Sequence, residues 1–295
     1  MKKTHIIFIF FVLLVFSAVK GFSQYEIDST RLYHLETVDG NKFTGNVIRD
    51  DGQILEFNNG KFGIVKIPKS AIKKIARLDK QNIRSGKIWL ENPQSTRHFW
   101  APNGYGLKKG EGYYQNIWVL WNQASYGVTD YFSVGVGIIP LFLFGSDISP
   151  MFVLPKFSIP VVNNKFNIGA GVLAGTAGFN NQAGFGLAYG VATMGSKNNN
   201  LSLGLGYGYA DSNWASKPLI NISGMARISS GTYFLTENYF LNIDGKWVGL
   251  VSLGARSLFN KVGLDYGLFF PVTREFDGFL AFPWLGLTIP FFSKI

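Results

Sequence analysis

Beyond Asn92 the chain breaks into short segments bounded by turn residues, and no amphipathic helical period of useful length interrupts them. Twelve candidate strands can be marked: 96–107, 112–125, 130–142, 149–162, 165–177 and 183–195, then 199–210, 217–228, 231–242, 247–259, 261–271 and 279–292. Each is as long as the roughly 9–11 residues that a tilted strand needs to cross a hydrocarbon layer. Strands of soluble sandwiches run nearer six residues. The run Ser202-Leu-Gly-Leu-Gly-Tyr-Gly-Tyr puts large residues at one parity and small or polar ones at the other, as a wall with one greasy face requires. Around Phe132–Phe144, with Ile138, Ile139, Leu141 and Phe142, no polar face is left for water. The expected fold class is therefore all-β, an antiparallel transmembrane β-barrel of about twelve strands, with ten as the alternative count and a soluble β-sandwich as the rival.

Composition agrees: aromatic residues reach 16%, charged residues also only 16%, and glycine is abundant at 35 residues. The first residues bear on the compartment. Lys2 and Lys3 precede an apolar run from Ile6 to Phe16, too short for a spanning helix, and Gly21 and Ser23 are small enough to flank a cut before Gln24. This reads as a signal peptide over 1–23. There is no cysteine, which excludes disulfides, thiolate metal sites and a lipid-modified cysteine anchor.

Residues 24–91 differ in character and are read as a small periplasmic β module, with the barrel occupying 92–295. Two period-2 hairpins, over 32–48 and 53–67, turn at Asp39-Gly-Asn and Asn58-Asn-Gly, and a further strand covers 71–78. The segment Thr37-Val-Asp-Gly-Asn-Lys-Phe-Thr-Gly-Asn-Val-Ile resembles small SH3-like or Sm-like β-barrels. Lys66, Lys69, Lys73, Lys74, Arg77, Lys80, Arg84 and Lys87 form a basic run opposed in sequence only by Asp79. It is either a solvated edge or a face for an anionic periplasmic or cell-wall partner. Nucleic acid is not expected as a partner of an exported chain, despite a formal charge of +10.

Connection lengths suggest orientation. With the N-terminus periplasmic, the outer connections are 108–111, 143–148, 178–182, 211–216, 243–246 and 272–278, and the tighter 126–129, 163–164, 196–198, 229–230 and 260 face inward to the periplasm. The signal peptide, the small β module and the run of strands, with Gly106-Leu-Lys-Lys-Gly-Glu-Gly-Tyr-Tyr-Gln-Asn and Tyr126-Gly-Val-Thr-Asp at its start, together resemble uncharacterised outer-membrane β-barrel proteins of Gram-negative bacteria. The resemblance implies an outer-membrane location and lipid neighbours, and it carries no established activity. Leu287-Thr-Ile-Pro-Phe-Phe resembles the aromatic-ended last strand read by outer-membrane assembly machinery, although Ser293-Lys-Ile follow it.

Strand parity selects lumen residues. Arg227 shares a face with Asn221 and Ser223, Arg256 with Ser252 and Gly254, and Asp265 with Gly263 and Gly267; Lys156 turns inward with Ser158. Glu237 shares its face with Leu235, Tyr239 and Leu241, so parity leaves its direction open. A charge facing lipid at mid-depth costs about 2–4 kcal/mol for Arg or Lys, so Arg227, Glu237, Arg256 and Asp265 are all expected inside. Arg227, Glu237, Arg256 and Asp265 then alternate in sign across four strands, as a structural network or as a polar binding track. Chemistry has little footing: His34 and His98 are the only histidines beyond the leader, carboxylates are scattered through turns, and no phosphate loop precedes a helix. No cofactor or metal is expected, and no catalytic residue is assigned. The functional expectation is a structural or scaffolding barrel. A narrow conduit for a small or apolar solute is the alternative, and a lipid-modifying enzyme using His98 a further one. Trp100, Tyr113, Tyr114, Trp118, Trp121, Tyr131, Trp214, Phe279, Phe282 and Trp284 are expected to form interfacial girdles.

Overall fold

The computed structural model describes residues 32–60, 62–78, 83–84, 87–146, 148–178, 183–211, 213–243, 245–259, 262–273 and 280–291. The signal peptide expected at 1–23 and Lys80 of the basic run lie outside them. The chain divides into two compact units, after Ile83.

In the first unit, β1 (Leu32–Thr37), β2 (Lys42–Asp50), β3 (Ile54–Asn59), β4 (Gly63–Pro68) and β5 (Ile72–Leu78) form one antiparallel sheet in the order β4-β3-β2-β1-β5. Alternate residues Tyr33, Leu35, Val47, Leu55, Phe57 and Ile67 make its core. Both expected hairpins are present, and a 3-10 turn at Lys69–Ala71 redirects the chain so that β5 pairs with β1. Gly45 is required where β2 meets β3, because a Cβ there would stand 1.9 Å from the Asn58 carbonyl oxygen. The two-residue strands β6 (Ile83–Arg84) and β7 (Lys87–Ile88) follow in sequence.

The second unit is a closed antiparallel barrel of twelve strands. In chain order they are β8 (Gly112–Ile117), β9 (Trp121–Gly127), β10 (Phe132–Ile138), β11 (Met151–Val162), β12 (Phe166–Thr176), β13 (Gly184–Gly195) and β14 (Asn199–Ala210), then β16 (Leu219–Arg227), β17 (Thr232–Ile243), β18 (Lys246–Phe259), β19 (Val262–Val272) and β20 (Phe282–Phe291). The short β15 (Asn213–Trp214) folds back on the end of β14. Each strand pairs with its sequence neighbour in the ring, and β20 closes onto β8 through Gly286↔Ile117 to Phe291↔Gly112.

The count agrees with expectation, but two of the expected strands differ in the structure and the differences cancel. Residues 96–107 form no strand; they run through the lumen. Residues 112–125 are two strands joined by a tight turn at 118–120, with Trp118 and Val119 at φ 52 and 66. Their backbone is held by Asn116 Oδ1, which accepts the Val119 N–H, and by the Leu285 carbonyl, which accepts the Trp118 N–H. The segment 108–111 therefore lies beside 128–131 at the short-turn end, with the Gly110 N–H on the Gly127 carbonyl and the Lys109 N–H on Asp130. It is not a connection at the opposite end. The turns 163–165, 196–198 and 228–231 share that end, while the chain leaves β8, β10, β12, β14, β17 and β19 at the other.

The barrel wall inverts the usual burial. On β14, Leu201, Leu203, Leu205 and Tyr207 are exposed on the outside, whereas Asn200, Ser202, Gly204 and Gly206 are buried within. Elsewhere Val153, Phe157, Ile159, Ile222, Leu253, Leu268 and Leu285 are exposed outward, and Gln115, Gln123, Ser125, Ser133, Asn167, Thr193, Asn221 and Thr288 are buried inward. The girdle expectation is corrected in part: Trp118, Tyr131, Trp214 and Phe282 are exposed, but Tyr113 and Trp284 are buried. Trp284 packs on Phe99 and Phe269, and Trp121 stacks on Phe152 and meets Trp100 edge-on. Phe279 lies outside the described residues.

Candidate functional site

The lumen is organised by the segment that enters it. Residues 92–107 carry polar groups spaced by turn formers, and Pro102 with Asn103-Gly104 denies them a regular ladder. Buried away from water, their backbone groups must be paired by side chains of the wall. Residues 97–102 close a tight loop, with Arg97 bridging Pro102 and the His98 N–H donating to the Ala101 carbonyl.

The tip of that loop binds Glu237. The consecutive N–H groups of Phe99, Trp100 and Ala101 donate to its Oε2 at 2.9, 3.0 and 2.9 Å, and the Tyr239 hydroxyl donates to Oε1 at 2.6 Å. Three successive amides converging on one carboxylate make a small anion nest, here filled by the protein itself. Glu237 is fully buried, which settles its direction as inward. Its strand is locally irregular. The β17–β18 pairing skips 236–238, and there Ser252 Oγ accepts the Glu237 N–H and donates to the Glu237 carbonyl, while Asn238 Oδ1 accepts the Ser252 N–H.

Arg256 and Asp265 face each other in register on β18 and β19 and form a bidentate pair at 2.6 and 2.8 Å, both buried. The guanidinium also donates to Asn92 Oδ1, to the Gln94 carbonyl and side-chain oxygen, and to the His98 carbonyl. Thr288 adds a further bond to Gln94. Phe99 fills an apolar niche among Met225, Tyr233, Leu235, Leu258, Phe269 and Trp284. Room for its ring comes from Gly254 and Gly267, where an added Cβ would stand 2.8 and 3.1 Å from the Phe99 ring tip.

The four expected lumen charges thus do not form one ladder. Arg256 and Asp265 meet, but Glu237 is held by backbone amides and Tyr239. Arg227 sits at the short-turn rim, donating to the carbonyls of Leu90, Ser229 and Ser230 and lying over the Trp89 ring. Register explains the separation: Arg227 is opposite Tyr233, whereas Glu237 is opposite Ser223. Lys156, buried on the inner face with Ser158, donates to the Tyr105 carbonyl at 2.6 Å. Gly104 and Tyr105 complete the anchoring through Thr193 and the Gly195 carbonyl. Arg97, Asn92 and Gln94 are central residues that the sequence reading missed. A polar stretch with a Pro-Asn-Gly break ahead of a barrel was the signal available.

His98 is fully buried, with Nε2 3.0 Å from Asn200 Oδ1. No hydroxyl nucleophile bonds it among the described residues. No group of three or more His, Asp or Glu among them could hold a metal ion. In the other unit, three of the basic residues are opposed by carboxylates: Lys66 by Glu56, Lys69 by Asp50 and Lys73 by Glu36. Lys74 and Arg77 lie on β5, Arg84 on β6 and Lys87 on β7. No protein-family model, curated protein or solved structure matches the chain.

Proposed function

We propose that the chain is an outer-membrane β-barrel of structural or scaffolding type, sealed by its own 92–107 segment and carrying a small β module at the periplasmic side. One observation carries the reading: the wall exposes leucine, valine, isoleucine and phenylalanine outward while polar groups are buried inward. In water such an outer face would associate; in hydrocarbon it is the favourable arrangement, since the closed ring pairs every strand edge. Exposed aromatics at both rims, Tyr131 and Phe259 at one and Trp118, Trp214, Trp247 and Phe282 at the other, support interfacial anchoring. The order β5-β1-β2-β3-β4 with its 3-10 turn supports an SH3-like or Sm-like module.

The inward course of 92–107, anchored on Glu237, Arg256 and Thr193, supports a scaffold over an open pore. Lipids and the assembly machinery are the proposed partners, with an anionic periplasmic or cell-wall polymer for the basic module. Membrane fractionation combined with a heat-dependent shift of the gel band tests compartment and closed barrel together. Recovery in the soluble fraction, without detergent, would overturn the reading. In planar bilayers the full chain should give no discrete conductance steps.

A further inference from the structure

Charge buried inside the barrel does not balance. Among the described residues, leaving His98 aside, the buried cations are Arg97, Lys156 and Arg256 and the buried carboxylates are Glu237 and Asp265. Asp265 pairs with Arg256, and the Glu237 carboxylate acts on Arg97. Lys156 is left over. It donates to the Tyr105 carbonyl, a neutral group, and forms no ion pair among the described residues. A buried ammonium without a counter-charge is costly, so it sheds its proton or draws in an anion.

The wall beside Lys156 favours the anion. Ser133 faces Lys156 in register across β10 and β11; in the neighbouring row Tyr113 faces Ser125, and Ser125 faces Gly135. Tyr113, Ser125, Ser133 and Lys156 are all buried, and together with Arg97 and Gly135 they line one small cavity. No acidic side chain lines it. Gly135 keeps the space open, since a Cβ there would stand 3.0 Å from Ser125 Oγ. The room for the centre of a water-sized sphere is about 10 Å³. That is about what a single water needs, so one monatomic ion is admitted and polyatomic anions are not.

The lining is rich in hydrogens to give. Arg97 Nε donates to the Tyr113 hydroxyl and Gln123 Nε2 to Ser125 Oγ, each at 2.8 Å, so both oxygens already accept and their own hydrogens are free. The Ser133 hydroxyl makes no hydrogen bond among the described residues. Lys156 keeps two N–H groups beyond the one on Tyr105. A water in this place must find acceptors for its own hydrogens, whereas an anion uses only donors. We propose that the cavity binds a single halide, chloride in ordinary salt, held by the Lys156 ammonium and the hydroxyls of Ser133, Ser125 and Tyr113. The ion supplies the charge that Lys156 lacks. The inference adds a ligand that a scaffold does not require, and it depends only on the closed barrel.

The test uses the full-length protein in phosphatidylcholine nanodiscs at fixed pH and ionic strength, with chloride replaced stepwise by gluconate. Chlorine NMR line broadening in excess of that from empty nanodiscs reads exchange with a bound ion. The urea midpoint reads its linkage to folding. Broadening should saturate, and the midpoint should rise with chloride as a ligand of the folded state alone requires, while gluconate leaves it unchanged. Iodide, larger than the cavity admits, should compete for the chlorine signal at least about tenfold more weakly than chloride itself. Ser133→Ala should weaken chloride about tenfold, the worth of one hydrogen bond to a charged group. Lys156→Met should abolish both the excess broadening and the chloride dependence, whatever its midpoint in gluconate. A midpoint that ignores which anion is present, chloride dependence retained in Lys156→Met, or unchanged affinity in Ser133→Ala overturns the proposal. The heat-dependent gel shift is recorded on every sample. Absence of chloride binding with the shift intact rejects the site alone, whereas a wild-type chain without the shift rejects the barrel. Should Lys156→Met fail to fold, the comparison of anions and Ser133→Ala still decide.

Discussion

Each nitrogen of the Arg256 guanidinium donates to a partner, and four of the acceptor atoms lie on the inward segment: Asn92 Oδ1, Gln94 O, Gln94 Oε1 and His98 O. Removing this residue strands Asp265 as a buried charge and leaves those acceptors unmet. Arg256→Met is therefore expected to destabilise the barrel by about 3–5 kcal/mol, read from its urea midpoint in detergent. Arg256→Met with Asp265→Leu should recover only part of that loss, because the carbonyls of 92–98 still lack donors; full recovery would show that the ion pair acts alone. Glu237 behaves differently, since its partners are three backbone amides and the Tyr239 hydroxyl, donors that an acceptor of the same shape can meet in part. Glu237→Gln should cost about 1.5–3 kcal/mol, the range of hydrogen bonds to a charged group. In the other unit, the amides of Ile54 and Gln53 hold the exposed Asp51 carboxyl below its ordinary value. A lowered folded value means that this turn's stabilisation is complete above the unfolded carboxylate value of about 3.9 and is lost as pH falls through the folded one. Asp51→Asn should remove that acid dependence, measured as the pH profile of the unit's unfolding.

At the scale of elements, the segment 92–107 holds its place through at least three separate anchors: Glu237 on its tip, Arg256 on its first half, and Thr193, Lys156 and the Gly195 carbonyl on its second. Phe99 adds apolar burial, and Phe99→Ala is expected to cost about 3–5 kcal/mol. With the anchors gone there is nothing to seal the lumen. A chain lacking 92–107 should give conductance steps in planar bilayers where the full chain is silent; silence from a folded deletion variant would reject the sealing role. The sequence made the wall legible because alternation reports which face is greasy, and β14 shows the same parity in both readings. The inward segment was not legible as such. Thr96 to Leu107 mixes large and small residues much as a strand does, and nothing local says that its hydrogen-bond partners are side chains instead of a neighbouring ladder. The β8–β9 turn was hidden for a related reason. Trp118 and Val119 adopt positive φ without glycine or asparagine, held by Asn116 and by the Leu285 carbonyl of a strand far along the chain. Among the four lumen charges, pairing of Arg256 with Asp265 follows from strand order, but the isolation of Glu237 follows from register, which sequence alone leaves free.

For the molecule as a whole, the question is which solvent the outer face meets, and a single substitution can ask it. Leu203 lies near the middle of β14, about half exposed, with Leu201 and Leu205 beside it on the outer face. On a water-facing strand, Leu203→Arg would be close to neutral, because surface changes away from special features usually fall within about 0.5 kcal/mol. On a lipid-facing strand at mid-depth it should cost about 2–4 kcal/mol, and the penalty should shrink toward the rims. Arginine at Trp214, on the β15 extension beside the end of β14, is expected to cost no more than about 1 kcal/mol by the same depth rule. Folding both variants into phosphatidylcholine bilayers and comparing urea midpoints gives a depth profile. A penalty at 203 that exceeds the one at 214 by a few kcal/mol belongs to a hydrocarbon slab. Equal, small effects at the two positions would mean that water reaches the middle of the wall, and the outer-membrane reading would fall with it.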